Sequence, residues 1–237
     1  MTAMRPGAAA VLAFALAACA VPNARVGLDG VLVVLQPRPD FSVRRLPDDW
    51  VTVGATPDPA PSVAADGIDT YLTVHAGTKT FALMRRVEAR LLATPYLGWR
   101  WNMAGGTDAG HAVRLTIGLL DAGTPPQRFS GLRLFGPKVP QFSRTITVTW
   151  GGSALMRGHV QAQPATRGKR PVARYTARGG RENQNRWWDE TLDLSSIHAR
   201  AWPGLDMRAT RIVFIGISAM PTARPAVARL AGLRVSR

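Results

Sequence analysis

A chain of 237 residues with 46% hydrophobic and 19% charged side chains is long enough to bury one substantial core and too apolar to stay unfolded. Its formal net charge of +15 is carried by arginine at 27 of 30 basic positions, which favours anionic partners such as lipid head groups or acidic glycans. The one cysteine, Cys19, excludes an internal disulfide and any cysteine-built metal site, and no metal or other cofactor is expected.

At the N-terminus, Arg5 gives a short positive start, residues 8–18 form an 11-residue apolar stretch, and the sequence LAAC ends it at Cys19. Such a stretch is too short to cross about 30 Å of hydrocarbon as a helix, so it reads as a cleaved signal peptide over residues 1–18. LAAC resembles a bacterial lipobox. The resemblance implies a mature chain that begins at Cys19, with a diacylglycerol on its thiol and an acyl chain on its amine, a stable membrane anchor. Ala20, which is not Asp, fits release to the periplasmic face of the outer membrane. Two other readings stand beside it: ordinary cleavage in the small-residue run 15–18, or a chance cysteine in an alanine-rich segment. An exported protein rarely meets nucleic acid, so none is expected as a partner.

Residues 19–40 read as a lipidated linker with room for a first strand, and 41–237 as one β-sandwich domain. The apolar pattern from Val31 onward is of period two, in short runs broken by Gly, Pro and Asp, with no long amphipathic helix. Runs at 31–35, 50–53, 70–74, 80–87, 97–103, 112–120, 145–150, 172–176, 188–194, 211–218 and 228–235 predict about eleven strands. In 112–120, Val113, Leu115, Ile117 and Leu119 share one face and Arg114 and Thr116 the other; in 145–150, Ile146, Val148 and Trp150 alternate with threonines. One-sided strands of this kind belong to antiparallel sheets. Residues 212–217, IVFIGI, are apolar on both faces and predict a central strand. The fold class expected is all-β, a two-sheet antiparallel β-sandwich with jelly-roll connections and one or two short helices. One helix is predicted at 195–201, capped by Ser195 or Ser196 and stopped by Pro203-Gly204. Long polar connections at 121–141 and 151–171 interrupt the strands.

TPYLGWRWNM at 94–103, AVRLTIGLLD at 112–121, TVTWGG at 147–152, WWDETLDL at 187–194 and TRIVFIGISAM at 210–220 resemble, in order and spacing, a bacterial family known as domain of unknown function 3047. The resemblance spans roughly residues 41–235. It implies a sandwich similar in outline to carbohydrate-binding modules and brings no established activity. Members carry an acidic stretch of the form TDTDN before the last strand, where this chain has MPTARPAVARL, without an acid. If that turn holds a metal or a sugar in the family, this chain lacks the function.

Trp99 and Trp101 share a face with Leu97 and Met103, which favours core packing over stacking on sugar rings. Trp187 and Trp188 are sequential and face opposite ways; alternation with Leu192 and Leu194 sends Trp188 inward and leaves Trp187 as the candidate ligand platform, or as an aromatic covered by a loop. Asp189, Glu190 and Asp193 form the densest acidic group and are the candidate acid or base of a hydrolase or lyase, although acids on an exposed strand ordinarily pair with arginine. Glycoside hydrolysis needs two carboxyls roughly 5–10 Å apart across a cleft. The four histidines make no metal-ligand spacing. Between residues 157 and 186 eight basic residues face one acid, Glu182; Arg167, Lys169, Arg170 and Arg174 either gather on one rim suited to the carboxylates or phosphates of glycan or lipid, or form a solvated loop. Together these features favour a non-catalytic envelope binding module for a glycan, an anionic lipid or an envelope partner, with the polysaccharide hydrolase or lyase as its rival.

Overall fold

The computed structural model describes residues 22–36, 41–66, 69–124, 139–166 and 169–237. In chain order the strands are β1 (Ala24–Arg25), β2 (Val31–Leu35), β3 (Trp50–Gly54), β4 (Ser62–Asp66), β5 (Asp69–Ala76), β6 (Phe81–Arg90), β7 (Tyr96–Ala104), β8 (Val113–Leu120) and β9 (Arg144–Gly151). They continue with β10 (Val160–Gln163), β11 (Val172–Gly179) and β12 (Trp187–Asp193), then helix α1 (Leu194–Ala201), β13 (Arg211–Ala219) and β14 (Ala226–Ser236). Single 3₁₀ turns lie at Ala154–Met156 and Arg181–Asn183.

The strands form two sheets. The larger runs β1-β6-β13-β8-β9-β11-β10 with β3 also on β6, and the smaller runs β12-β7-β14-β5-β4 with β2 also on β14. The chain crosses between sheets repeatedly, so the all-β, two-sheet jelly-roll expectation holds. Pairing is antiparallel except at β1–β6 and β9–β11. The second exception arises because the connection after β9 carries β10, and the chain then enters β11 in the direction of β9.

All eleven expected strands form, and the apolar central run becomes β13, between β6 and β8. Its second face is also covered: Phe214 is buried against the ring of Phe142, centroids 5.3 Å apart. Alternating inward residues of both sheets make one core, in which Trp99 and Trp101 are 2% and 0% exposed. Trp101 meets Trp99 edge-on at 5.3 Å and, across the sheets, Trp150 at 5.6 Å. The short helix starts one residue earlier than expected, and its cap is Asp193 in place of a serine: its Oδ1 accepts from the Ser195 and Ser196 amides at 2.9 and 3.1 Å. A carboxylate satisfies two of the free N–H groups there and favours the positive end of the helix.

Candidate functional site

A cavity of about 300 Å³ opens on the outer face of the larger sheet, lined by Arg114 of β8, Thr149 of β9, Arg174 and Thr176 of β11, and His159 and Gln161 at β10. Strand registry builds this face. Thr176 pairs with Thr149, Arg174 with Thr147 and Gln161 with Arg174, while Leu115 lies opposite Val148, which sets Arg114 beside Thr149. Alternation then sends Ile146, Val148 and Trp150 into the core and the threonines to the cleft side. Those threonines are nonetheless buried beneath the longer side chains around them. The Thr149 hydroxyl donates to the Tyr175 carbonyl at 3.1 Å.

One end of the cleft is closed by the 105–110 loop. Gly110 has φ +109°, and its N–H and carbonyl pair with Thr107, while the next residue, His111, donates its amide to the Trp150 carbonyl at 3.0 Å. A Cβ at Gly110 would collide with that carbonyl, so the close approach requires glycine. His111 Nδ1 accepts from the Val113 amide at 3.1 Å, which leaves Nε2 as the protonated nitrogen, donating to the Ala104 carbonyl at 3.0 Å. Burial, outweighing these backbone contacts, pushes its pKa below the ordinary 6.5, so the ring beside the cleft is neutral. A second depression of about 150 Å³ adjoins the first and shares Ala109, His111 and Arg114 with it.

The cleft is basic. Among the described residues that line the two depressions there is no Asp or Glu. Burial, and after it the charge of Arg174, pushes the Arg114 guanidinium below its ordinary pKa. No group of three or more metal-ligating side chains occurs among the described residues.

The candidate acids do not share a cleft. Asp189 projects from the outer face of the smaller sheet, 79% exposed, and pairs with Arg100 at 3.1 Å. Asp193 caps α1. Glu190 points between the sheets, 5% exposed, where Arg178 Nε holds one oxygen at 2.6 Å and Arg157 the other at 3.4 Å. A β-bulge explains the contact with Arg178. The register of β11 on β9 shifts between Thr176 and Arg178, so Arg174 and Thr176 face the cleft while Arg178 turns inward, 3.6 Å over the ring of Trp188. Trp188 is half-buried against the core and donates Nε1–H to the Asn183 carbonyl at 2.8 Å.

Trp187 lies on the outer face of the smaller sheet, half-buried. Tyr71 meets it edge-on at 5.5 Å, and the Arg100 guanidinium sits 5.4 Å from its ring centre. It belongs to the opposite side of the sandwich from the Arg114 cleft. The basic residues of 157–186 are dispersed as well: Lys169 is exposed in a turn with Thr166, Arg170 bonds the Phe142 carbonyl and stacks 4.0 Å over that ring, and Arg181 pairs with Asp108 at 3.0 Å. Of Lys169, Arg170 and Arg174, only Arg174 reaches the cleft; Arg167, like Cys19, lies outside the described residues. Arg114, Thr149 and Thr176 are not singled out by any sequence motif. Their one signal is the polar parity of three strands, β8, β9 and β11.

No protein-family model matches the chain, and no curated protein matches it by sequence. Solved structures do match in chain path. Endoglucanase 3 of Trichoderma harzianum, from family GH12, is 7% identical over 89% of this chain and 92% of its own, with a TM-score of 0.44. A family 12 xyloglucanase from Bacillus licheniformis is 9% identical over 88% and 93%, with a TM-score of 0.45. The family 11 carbohydrate-binding module from Clostridium thermocellum, in complex with a β-1,3-1,4-mixed-linked tetrasaccharide, is 9% identical over 89% and 97%, with a TM-score of 0.40. At these identities and scores they assign neither a site nor an activity to this chain.

Proposed function

We propose that this chain is an exported, lipid-anchored, non-catalytic binding module of the bacterial envelope, and that its ligand is a glycan held on the outer face of the larger sheet. The observation that carries the reading is the lining of the cleft. Hydroxyl, amide, imidazole and guanidinium groups of Thr176, Gln161, His159, Arg114 and Arg174 converge on one concavity, with Met156 as an apolar patch. A few convergent polar groups around a preformed hollow of about 300 Å³ or more suit a small ligand, and sugar rings present hydroxyls to such groups and a C–H face to such a patch. The lipobox-like LAAC supports the envelope setting.

The test is binding of the protein to an array of oligosaccharides from bacterial envelopes, followed by an assay for new reducing ends. The reading expects retention of at least one glycan, weakened by Thr176→Val and Gln161→Leu, with no new reducing ends. Retention by no glycan, or release of reducing ends, would overturn it, the second in favour of a hydrolase or lyase. For the anchor, a palmitate analogue should label the wild type and not Cys19→Ala; equal labelling of the two contradicts lipidation at Cys19.

A further inference from the structure

Arg114 and Arg174 stand apart from the other sheltered arginines of this protein. Arg85 is paired with Asp49 at 2.7 Å, Arg144 with Asp121 at 2.5 Å and Arg178 with Glu190 at 2.6 Å, with guanidinium-bearing side chains 26%, 13% and 11% exposed. Arg114 and Arg174 make no ion pair among the described residues, and their Nε atoms are buried without a hydrogen-bond partner. They flank β9 on one face, two residues out of register across Thr147 and Thr149, and both line the same cavity.

Two sheltered cations side by side repel each other, and each has lost part of its hydration. At Arg85, Arg144 and Arg178 that cost is offset by a carboxylate, and at Arg86 and Arg170 a backbone carbonyl accepts from the guanidinium; here the described residues offer neither, and the neighbouring His111 is held neutral. Burial first, and the Arg174 charge after it, push the Arg114 guanidinium below its ordinary pKa, in keeping with the absence of a paired carboxylate among the described residues. Guanidinium forks match the planar oxygens of a carboxylate and the oxygens of a sulfate.

We infer that Arg114 and Arg174 form an anion subsite in the cleft and that it takes the oxyanion of an acidic sugar, a uronate carboxylate or a sulfate ester. The inference rests on the reading of this cleft as a glycan site. The regular pairing before the bulge keeps Arg174 on the cleft face, and the bulge at Ala177 turns Arg178 away from it toward Glu190.

Calorimetric titration with tetragalacturonate, its methyl ester and a sulfated galactan tetrasaccharide tests the subsite on the wild type, Arg114→Gln, Arg174→Gln and a control pair, Arg25→Gln with Arg211→Gln. The variants keep their fold, since neither cleft guanidinium has a hydrogen bond among the described residues to lose. The wild type should bind an acidic tetrasaccharide at least tenfold more tightly than the methyl ester. Each cleft variant should lose about tenfold or more, the loss expected for a hydrogen bond to a charged group, and the control pair should keep its affinity. Preference for tetragalacturonate identifies a uronate ligand, and preference for the galactan a sulfate ester. Equal binding of acid and ester, or an equal loss in the control pair, overturns the subsite and leaves glycan binding standing. A second measurement separates the two claims: free glucuronate or sulfate should raise the melting temperature of the wild type and not of the double cleft variant. If that holds while no glycan binds, the anion site survives and the glycan reading fails; if neither anion shifts the wild type, the subsite is overturned.

Discussion

Arg178 and Glu190 meet at 2.6 Å between the two sheets, one from the bulged strand of the larger sheet and one from the edge strand of the smaller, under the ring of Trp188. The pair ties the sheets together at the place where the cleft face ends. It also takes Glu190 out of consideration as a free acid or base, since both of its oxygens are held by arginine.

Removing one partner of a buried pair leaves the other charge uncompensated, which costs about 3–5 kcal/mol. Glu190→Ala should therefore lower unfolding stability by an amount in that range, measured by urea denaturation. Glycan affinity of the folded variant should stay at the wild-type value. A loss below about 1 kcal/mol, or a loss of affinity without a loss of stability, contradicts the structural role assigned to Glu190.

Trp101 is fully buried among Trp99 and Trp150, so Trp101→Ala should cost about 3–5 kcal/mol. Trp187 is half-buried on the outer face of the smaller sheet and stabilised mainly by Tyr71 and Arg100, so Trp187→Ala should cost less than half as much. Thermal denaturation that ranked them in the reverse order would contradict the inward and outward faces of β7 and β12.

Acidification should destabilise the domain in two stages. Burial pushes the pKa of His111 below 6.5, and burial with the Arg144 charge does the same to His198, against the pull of Asp121. The unfolded chain thus binds more protons at these sites, and their contribution is complete above about pH 6.5 and is lost as pH falls through the lower folded values. For Asp121, burial acts upward but is outweighed by Ser143, Arg144 and Thr210, so its pKa lies below 3.8 and its contribution is lost only below that pH. Denaturation midpoints should fall between pH 7.5 and 5, and His111→Asn should reduce that fall. A midpoint constant over this interval contradicts the assignment.

The strands were legible because one face of each is apolar: Val113, Leu115, Ile117 and Leu119 declare β8 by alternation alone. β1, β4 and β10 were not, because they are short strands at the sheet edges with little apolar alternation to detect. Inward parity for Glu190 was present in the face it shares with Trp188 and Leu192, but charge argued against it, and the inward turn of Arg178 depends on a bulge that no local pattern announces. The cleft had the same difficulty. Arg114 and Arg174 are 60 positions apart in number, and only the order β8-β9-β11 makes them neighbours. Caps behaved differently: Asp193 precedes Leu194 in the position a helix start demands, and the serines beside it masked a stronger signal.

The most direct test of a glycan site on the larger sheet is nuclear magnetic resonance mapping of the isotopically labelled protein, titrated with the tightest-binding oligosaccharide of the array. Amide and side-chain shifts should move at Arg114, Thr149, Gln161, Arg174 and Thr176 in one saturable transition, and Trp187, Tyr71 and Arg100 should stay in place. Shifts confined to Trp187, Tyr71 and Arg100 would move the site to the opposite face of the sandwich and contradict the account.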